Sequence, residues 1–378
     1  MSASTRLAIV GLGLVGKRHA EAIDRVKHVE LIAAVEPSEV GRGHAVDLGV
    51  PCFSSLSEMF ARERPDGVIL ATPTPLHVEQ GLECVAEGCP TLVEKPVATS
   101  AEEAGVLVEA AREANVPLLV GHHRRHNPLI QKARAMIDAG EIGQIRAVHS
   151  NCWFYKPDYY FDAAPWRKLK GAGPISVNLV HDVDLIRYLC GEVISVQAQA
   201  APSARGFEND DVAAAVLRFE NGAIGTITVS DSIVSPWSWE MTAREYPDYP
   251  PTSQSCCLLG GTHGSLSVPD LTLWDYRSER DWWQPISATT LPRAASDPLV
   301  NQLAHFSAVI AGKDGPLVSG DEGLKTVRVI EAIQMAAKSG ETVQIQVQPK
   351  STTPEIDASH NPSRPSDITL GNQDSQIF

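Results

Sequence analysis

Residues 7–16 read Leu7-Ala8-Ile9-Val10-Gly11-Leu12-Gly13-Leu14-Val15-Gly16. An apolar run that stops at a glycine, with further glycines two and five positions on and a helix-like segment to about Lys27, predicts a strand–turn–helix unit. Gly11 permits the tight turn, Gly13 lets the backbone approach a pyrophosphate, and Gly16 lets helix and strand pack closely. Free N–H groups at the start of the helix then face the phosphates, so Leu12, Leu14 and Val15 join the glycines as expected dinucleotide contacts.

Working outward, a second strand is expected at 30–36, and short apolar runs recur at 67–71, 91–94 and 117–120. Ala/Glu-rich segments near 75–87 and 101–114 suit the helices between them. Strands crossed over by helices are buried on both faces, which explains why these runs are apolar without two-residue alternation. After Gly121 the rhythm changes. A helix near 129–139 precedes a long strand candidate from Ile142, and 174–189 has helical period. Residues 193–202, 211–219 and 222–231 alternate as antiparallel strands, with Glu220-Asn221-Gly222 as a turn. The stretch 232–265 holds several aromatics and prolines and predicts no more than a strand or two. Further strands are expected through 264–275, helices at 298–311 and 320–338, and a last strand at 342–347. The expected division is a dinucleotide-binding Rossmann domain over 1–122, a substrate-binding and oligomerisation domain over 123–348, and an extended polar tail over 349–378.

A chain of 378 residues suits two domains. Its 43% hydrophobic and 21% charged residues are those of an ordinary globular protein, and a formal net charge of -14 argues against nucleic acid or an anionic membrane as partner. The seven cysteines show neither a disulfide framework nor a CxxC pair. The start of the chain reaches its glycine turn too early for a signal peptide, and no apolar run approaches the roughly 18 residues of a membrane span. A cytoplasmic setting is expected.

Glu36 ends the second strand, where a carboxylate accepts hydrogen bonds from adenosine ribose hydroxyls and repels a 2′-phosphate. NAD is therefore expected as cofactor, with NADP as the alternative through nearby Arg42. Thr72-Pro73-Thr74 follows the strand at 67–70: the threonines offer hydroxyls to ribose or phosphate, Pro73 stiffens the turn, and Thr74 is also a candidate helix cap. His77 is placed with this cofactor loop as a solvent-facing residue of the following helical turn, not a catalyst.

Glu94-Lys95-Pro96 at the end of the next strand, with the glycine fingerprint and the later Gly121-His122-His123-Arg124-Arg125-His126-Asn127-Pro128, resembles the glucose-fructose oxidoreductase, inositol dehydrogenase and rhizopine-catabolism (Gfo/Idh/MocA) family over residues 5–345. The resemblance implies a Rossmann domain followed by an α/β domain with a large, mostly antiparallel sheet, and oxidation or reduction at a CH–OH group of a sugar, inositol or related polyol. It maps the family lysine onto Lys95, beside the substrate oxygen and nicotinamide, where its ammonium stabilises developing negative charge, with Glu94 orienting it. Trp166 becomes the aromatic covering the cleft, and Arg167 and Arg124 cofactor-side cations. His181 becomes the general base, since a neutral imidazole accepts the alcohol proton near operating pH. On one helix, Asn178 and Asp184 would share its face. His123 and Tyr155 complete the expected pocket, and no metal is expected.

One departure stands out. Many members of the family place an aspartate four residues before the histidine; here Val177 occupies that position and Asn178 follows it. An asparagine bonds a hydroxyl but carries no proton as a carboxylate does. The expected partner is a small carbohydrate or polyol, and the assembly a homodimer or homotetramer. Alternatives are an enzyme that keeps its NAD through an internal redox cycle, for isomerisation, sugar–sugar oxidoreduction or glycoside cleavage, and an NAD-bound sensor without turnover.

Overall fold

The computed structural model describes residues 4–346. Six parallel strands form the first sheet: β1 (Thr5–Val10), β2 (Val29–Val35), β3 (Cys52–Phe53), β4 (Gly67–Leu70), β5 (Thr91–Val93) and β6 (Leu118–Val120), in the order β3-β2-β1-β4-β5-β6. The order reverses between β1 and β4, which opens a crevice at the carboxyl ends of the strands, where ligands of this sheet type bind. Leu7, Ile9, Ile69 and Leu92 face one layer of helices, and Ala8, Val10, Val68 and Val93 face the other. That two-sided burial is the reason the strands read as continuous apolar runs.

The second sheet has nine strands: β7 (Ile145–Trp153), β8 (Val193–Pro202), β9 (Asp210–Phe219), β10 (Ile224–Ser230), β11 (Cys257–Gly261), β12 (Gly264–Val268), β13 (Thr272–Asp275), β14 (Ser287–Thr290) and β15 (Val343–Gln344). Their order is β14-β13-β12-β11-β7-β10-β9-β8-β15, antiparallel except for the central β7–β10 pair. Helices Pro128–Asp138 and Leu179–Cys190 cover one face through Ile130, Val183, Ile186 and Leu189.

Position along the chain does not map simply onto packing. Helix Pro298–Ile310 lies against the first sheet through Leu303 and Phe306, and helix Gly320–Ser339 serves both sheets, Leu324 and Val327 joining the first core and Ile330 and Ile333 the second. Helices Glu39–Asp47 and Leu56–Arg62, together with β3 and β14, were not among the expected elements. The two helices are short, with interrupted apolar periodicity, and the two strands have two and four residues. The expected tail over 349–378 lies outside the described residues.

Candidate functional site

The glycine turn is built by close approach. Gly11 adopts a positive φ of 89°, and a Cβ on Gly16 would sit 1.9 Å from the Gly11 carbonyl oxygen. A Cβ on Gly13, by contrast, would meet nothing within 4 Å, so the space beside it is open to a phosphate. Gly11, Gly13, Leu14, Glu36, Thr72 and Trp166 are among the residues that border a cleft of about 850 Å³ along this edge of the first sheet. Val15 and Pro73 also border it. Its volume, glycine turn and acidic strand end fit a dinucleotide.

Leu12 is itself buried, and its N–H donates to Glu36 Oε2 at 2.9 Å; Ser38 N–H donates to Oε1, also at 2.9 Å. Burial opposes ionisation of Glu36, yet these two amides hold its pKa below the usual carboxylate value. The carboxylate thus shapes the glycine turn as well as bordering the cleft. Arg42 is already engaged, donating to the Glu36 carbonyl at 3.2 Å and to Ser54 Oγ at 2.9 Å.

Two expectations for the following loop need correction. Thr74 opens a single turn, Thr74–Leu76, and makes no side-chain cap, while Thr72 Oγ1 donates to Gln80 Oε1 at 2.6 Å. His77 is buried rather than solvent-facing: its Nδ1 lies 2.9 Å from the Pro96 carbonyl oxygen and its Nε2 2.8 Å from that of Thr72. Burial pushes its pKa down. The ring ties the Thr72 loop to the Lys95-Pro96 loop, because a turn facing the sheet edge has the core on its other side.

Glu94 is held by His19, whose Nε2 lies 2.8 Å from Oε1, and accepts the Lys95 backbone N–H at Oε2 at 3.0 Å. Burial opposes its charge, but His19 brings its pKa to about 2. Glu94 therefore orients Lys95 through the backbone, and the Lys95 ammonium has no hydrogen-bond or ion-pair partner among the described residues. Burial and the neighbouring Arg124 lower the Lys95 pKa against the pull of Glu94.

His181 borders a second cavity, of about 210 Å³, together with Arg18, His123, Trp239, Glu240 and Tyr246. Leu14 borders both spaces, so this cavity adjoins the dinucleotide cleft. Burial, with the charges of Lys95 and Arg124, pushes the His181 pKa well below its ordinary value, leaving a neutral ring. Among the described residues its Nδ1 is buried without a hydrogen-bond partner, and none of their carboxylates orients it. His123, its ring 5.6 Å from that of His181, pairs with Glu245 at 2.7 Å. Glu245 also accepts from Trp239 and Asn127; burial opposes its charge, but His123 brings its pKa to about 2.

The other expected site residues divide. Asn178 is not on the helix of His181: it lies at the break between Pro174–Val177 and Leu179–Cys190, and its Oδ1 accepts from Lys156 Nζ at 2.6 Å. Asp184 points into the core, bonded to Arg125 at 2.9 and 2.7 Å and to Thr326 at 3.2 Å, so it borders no substrate space. Arg124 borders the smaller cavity, but its charge is committed to Glu240 at 2.7 Å and Asp182 at 3.5 Å instead of the dinucleotide cleft. Arg167 stacks on Tyr160 and donates to its carbonyl at 2.6 Å. Tyr155 is exposed under Arg205 and borders neither space.

Sequence reading missed Arg18, Lys156 and the segment bearing Trp239, Glu240, Glu245, Tyr246 and Tyr249. That segment contains one short helix, Trp239–Thr242, and otherwise irregular chain. Its signal was composition alone, aromatics and carboxylates without periodicity.

Residues 5–122 match the family model described as "Oxidoreductase family, NAD-binding Rossmann fold", and residues 130–267 the "GFO/IDH/MocA C-terminal domain". The chain is 27% identical over 368 residues to scyllo-inositol 2-dehydrogenase (NAD(+)) of Bacillus subtilis, covering 92% of this chain and 98% of that protein. It is 32% identical over 187 residues to the rhizopine catabolism protein MocA of Rhizobium meliloti, a match spanning 50% of this chain and 57% of that protein. Among solved structures it resembles the WlbA dehydrogenase of Bordetella pertussis in complex with NADH and UDP-GlcNAcA, with a TM-score of 0.74, 28% identity and coverage of 91% and 100% of the two chains. With its Rossmann half, its mixed nine-stranded sheet and both domain models matched, the chain belongs to the Gfo/Idh/MocA family of oxidoreductases.

Proposed function

We propose that this protein transfers hydride between a secondary alcohol carbon of a sugar, inositol or related polyol and NAD. The observation that carries the reading is the adjacency of the two spaces: Leu14 borders both the dinucleotide cleft and the cavity holding His181. Held along the cleft bordered by Gly11, Gly13, Glu36 and Thr72, NAD would supply the hydride acceptor. Lys95 donates a hydrogen bond to the alcohol oxygen and favours its anionic character as the carbonyl forms. His181 takes the hydroxyl proton at the ring nitrogen not buried against the protein, its neutral form being the one burial maintains. The products are the ketone, NADH and one proton. Glu36, whose carboxylate borders the dinucleotide cleft at the end of β2, supports NAD over NADP.

A panel of inositols, aldoses, anhydrosugars and polyols, tested with NAD and with NADP by absorbance of the reduced cofactor, tests this reading. Reduction of NAD by at least one of them is expected; none doing so overturns it. The uncovered face of the second sheet, with Val216, Ile224, Leu258 and Trp274 exposed, supports homo-oligomerisation. Light scattering in solution tests that, with a dimer or tetramer mass expected and a monomer mass contrary.

A further inference from the structure

Arg18 lies one helical turn after Leu14 on helix Leu14–Ile23, and at that spacing the two side chains share a face. Leu14 borders both spaces, whereas Arg18 borders the cavity of His181 and not the dinucleotide cleft. The guanidinium is therefore on the cavity wall, beside the opening to the cleft. It lies over the Tyr246 ring at 4.8 Å, and Tyr246 packs against Tyr249 at 5.5 Å; both rings border the same cavity. Contact with an aromatic face places a cation without using a hydrogen-bond acceptor. Among the described residues the Arg18 N–H groups have no hydrogen-bond or ion-pair partner, and the side chain is only half-buried, its nitrogens retaining accessible surface.

The other charges of this wall already have partners. Glu240 accepts from Arg124 at 2.7 Å, and its second oxygen is buried. Glu245 has both oxygens engaged by His123, Asn127 and Trp239. Arg124 is further held by Asp182 at 3.5 Å. Two cations, Arg18 and Lys95, are thus left with no carboxylate bonded to their side chains among the described residues. Hydride transfer employs Lys95 at the reacting oxygen and gives Arg18 nothing to do.

We infer that Arg18 is an oxyanion subsite of the substrate cavity, pairing with a carboxylate or phosphate of the substrate, so that the substrate is an anionic sugar: a sugar acid or a sugar phosphate. This rests on the hydride-transfer reading above and adds to it a charge that a neutral sugar or inositol lacks. A guanidinium fork bonds two oxygens of such a group at once, and the tyrosine beneath it holds the fork in place before substrate arrives. The oxyanion takes no part in the chemistry; its pairing decides which hydroxyl meets Lys95 and His181. A neutral sugar leaves the fork to water and is oxidised with a higher KM.

The test compares D-glucose, D-galactose and D-mannose with the corresponding aldonates, uronates and phosphate monoesters of the primary hydroxyl, using NAD and the purified full-length protein. For the wild type, kcat/KM for at least one anionic compound is expected to exceed that of its neutral parent by about tenfold or more, the worth of a charge-assisted hydrogen bond. Preference for the acids or for the phosphate esters shows which oxyanion the subsite holds, and either upholds it. Arg18→Met, which keeps length without charge, is expected to bring the ratio to about twofold or less, chiefly through a higher KM for the anionic compound, with NAD affinity by fluorescence titration retained. Arg18→Lys keeps the charge and loses the fork; it is expected to reduce the ratio partially and serves if the methionine variant does not fold. A wild type that favours the neutral parents, a ratio unchanged in a folded variant, or a loss confined to NAD affinity overturns the inference and leaves the hydride-transfer reading standing. A wild type that reduces NAD with neither neutral nor anionic compounds overturns both.

Discussion

Asp184 receives the guanidinium of Arg125 side-on, with Nε at 2.9 Å from one oxygen and Nη2 at 2.7 Å from the other. Both residues are buried, and the pair joins the segment leaving the first sheet to the helix that carries His181. Thr326 of helix Gly320–Ser339 donates to the same carboxylate, and Arg125 reaches Glu322 on that helix at 3.0 Å. Three elements are therefore pinned at one ion pair. Removing one partner strands the other charge in a low-dielectric interior, so Asp184→Ala is expected to cost about 3–5 kcal/mol. Urea denaturation measures it; a loss below about 1 kcal/mol would show that the pair does not hold these elements together.

Lys95 offers an ammonium that has no partner among the described residues. Lys95→Met is expected to lower kcat/KM by about a hundredfold or more on any compound the wild type oxidises, the scale of losing a donor to a developing oxyanion. NAD affinity, followed by fluorescence titration, should stay close to that of the wild type. Undiminished turnover would remove Lys95 from the reaction.

Asp182 makes a pH prediction with a definite sign. Burial, partly offset by Arg124, raises its pKa from 3.8 to about 6 in the folded protein. The folded chain therefore holds this proton more tightly than the unfolded one. Its contribution favours folding below pH 3.8 and is lost as pH rises through about 6. Asp182→Asn stays neutral, so it should be the more stable protein at pH 8, by at most about 3 kcal/mol. That advantage should shrink between pH 6 and pH 4. Thermal melts of both proteins across this range check it, and an advantage independent of pH would contradict the assignment.

Glu36 combines two duties that substitution can separate. Glu36→Ala removes the charge facing a 2′-phosphate and the acceptor of the Leu12 and Ser38 amides, whereas Glu36→Gln keeps an acceptor. The ratio of kcat/KM for NAD over NADP should fall by about tenfold in both variants, the worth of one charge-assisted hydrogen bond. Thermal stability should fall further for alanine. An unchanged cofactor ratio would assign Glu36 to the turn alone.

Much of this architecture is legible in the chain because its signals are local. The run Leu7–Val10 with Gly11, Gly13 and Gly16 dictates a strand, a turn and a helix within a few residues of one another, through backbone sterics alone. Strands β8 and β9 follow from alternation, since a sheet covered on one face repeats every two residues. Helix periodicity was less informative about facing. The stretch 174–189 breaks at Asn178, which turns that residue towards Lys156, and spacing from His181 could not reveal that Asp184 faces Arg125.

By itself, then, the sequence determined the parallel sheet, the glycine turn, Glu36 at the strand end, and the placement of Lys95 and His181 in their motifs. Tertiary structure alone decided which polar groups remain available. Asp184, Asn178 and Arg124 are held by protein partners, His77 is drawn into the core, and Glu240 arrives at the cavity on a four-residue helix more than fifty residues beyond His181. The physical reason is range. Backbone geometry and periodicity act between near neighbours, whereas burial, pairing and the desolvation that leaves an oxygen bare depend on segments that only folding brings together.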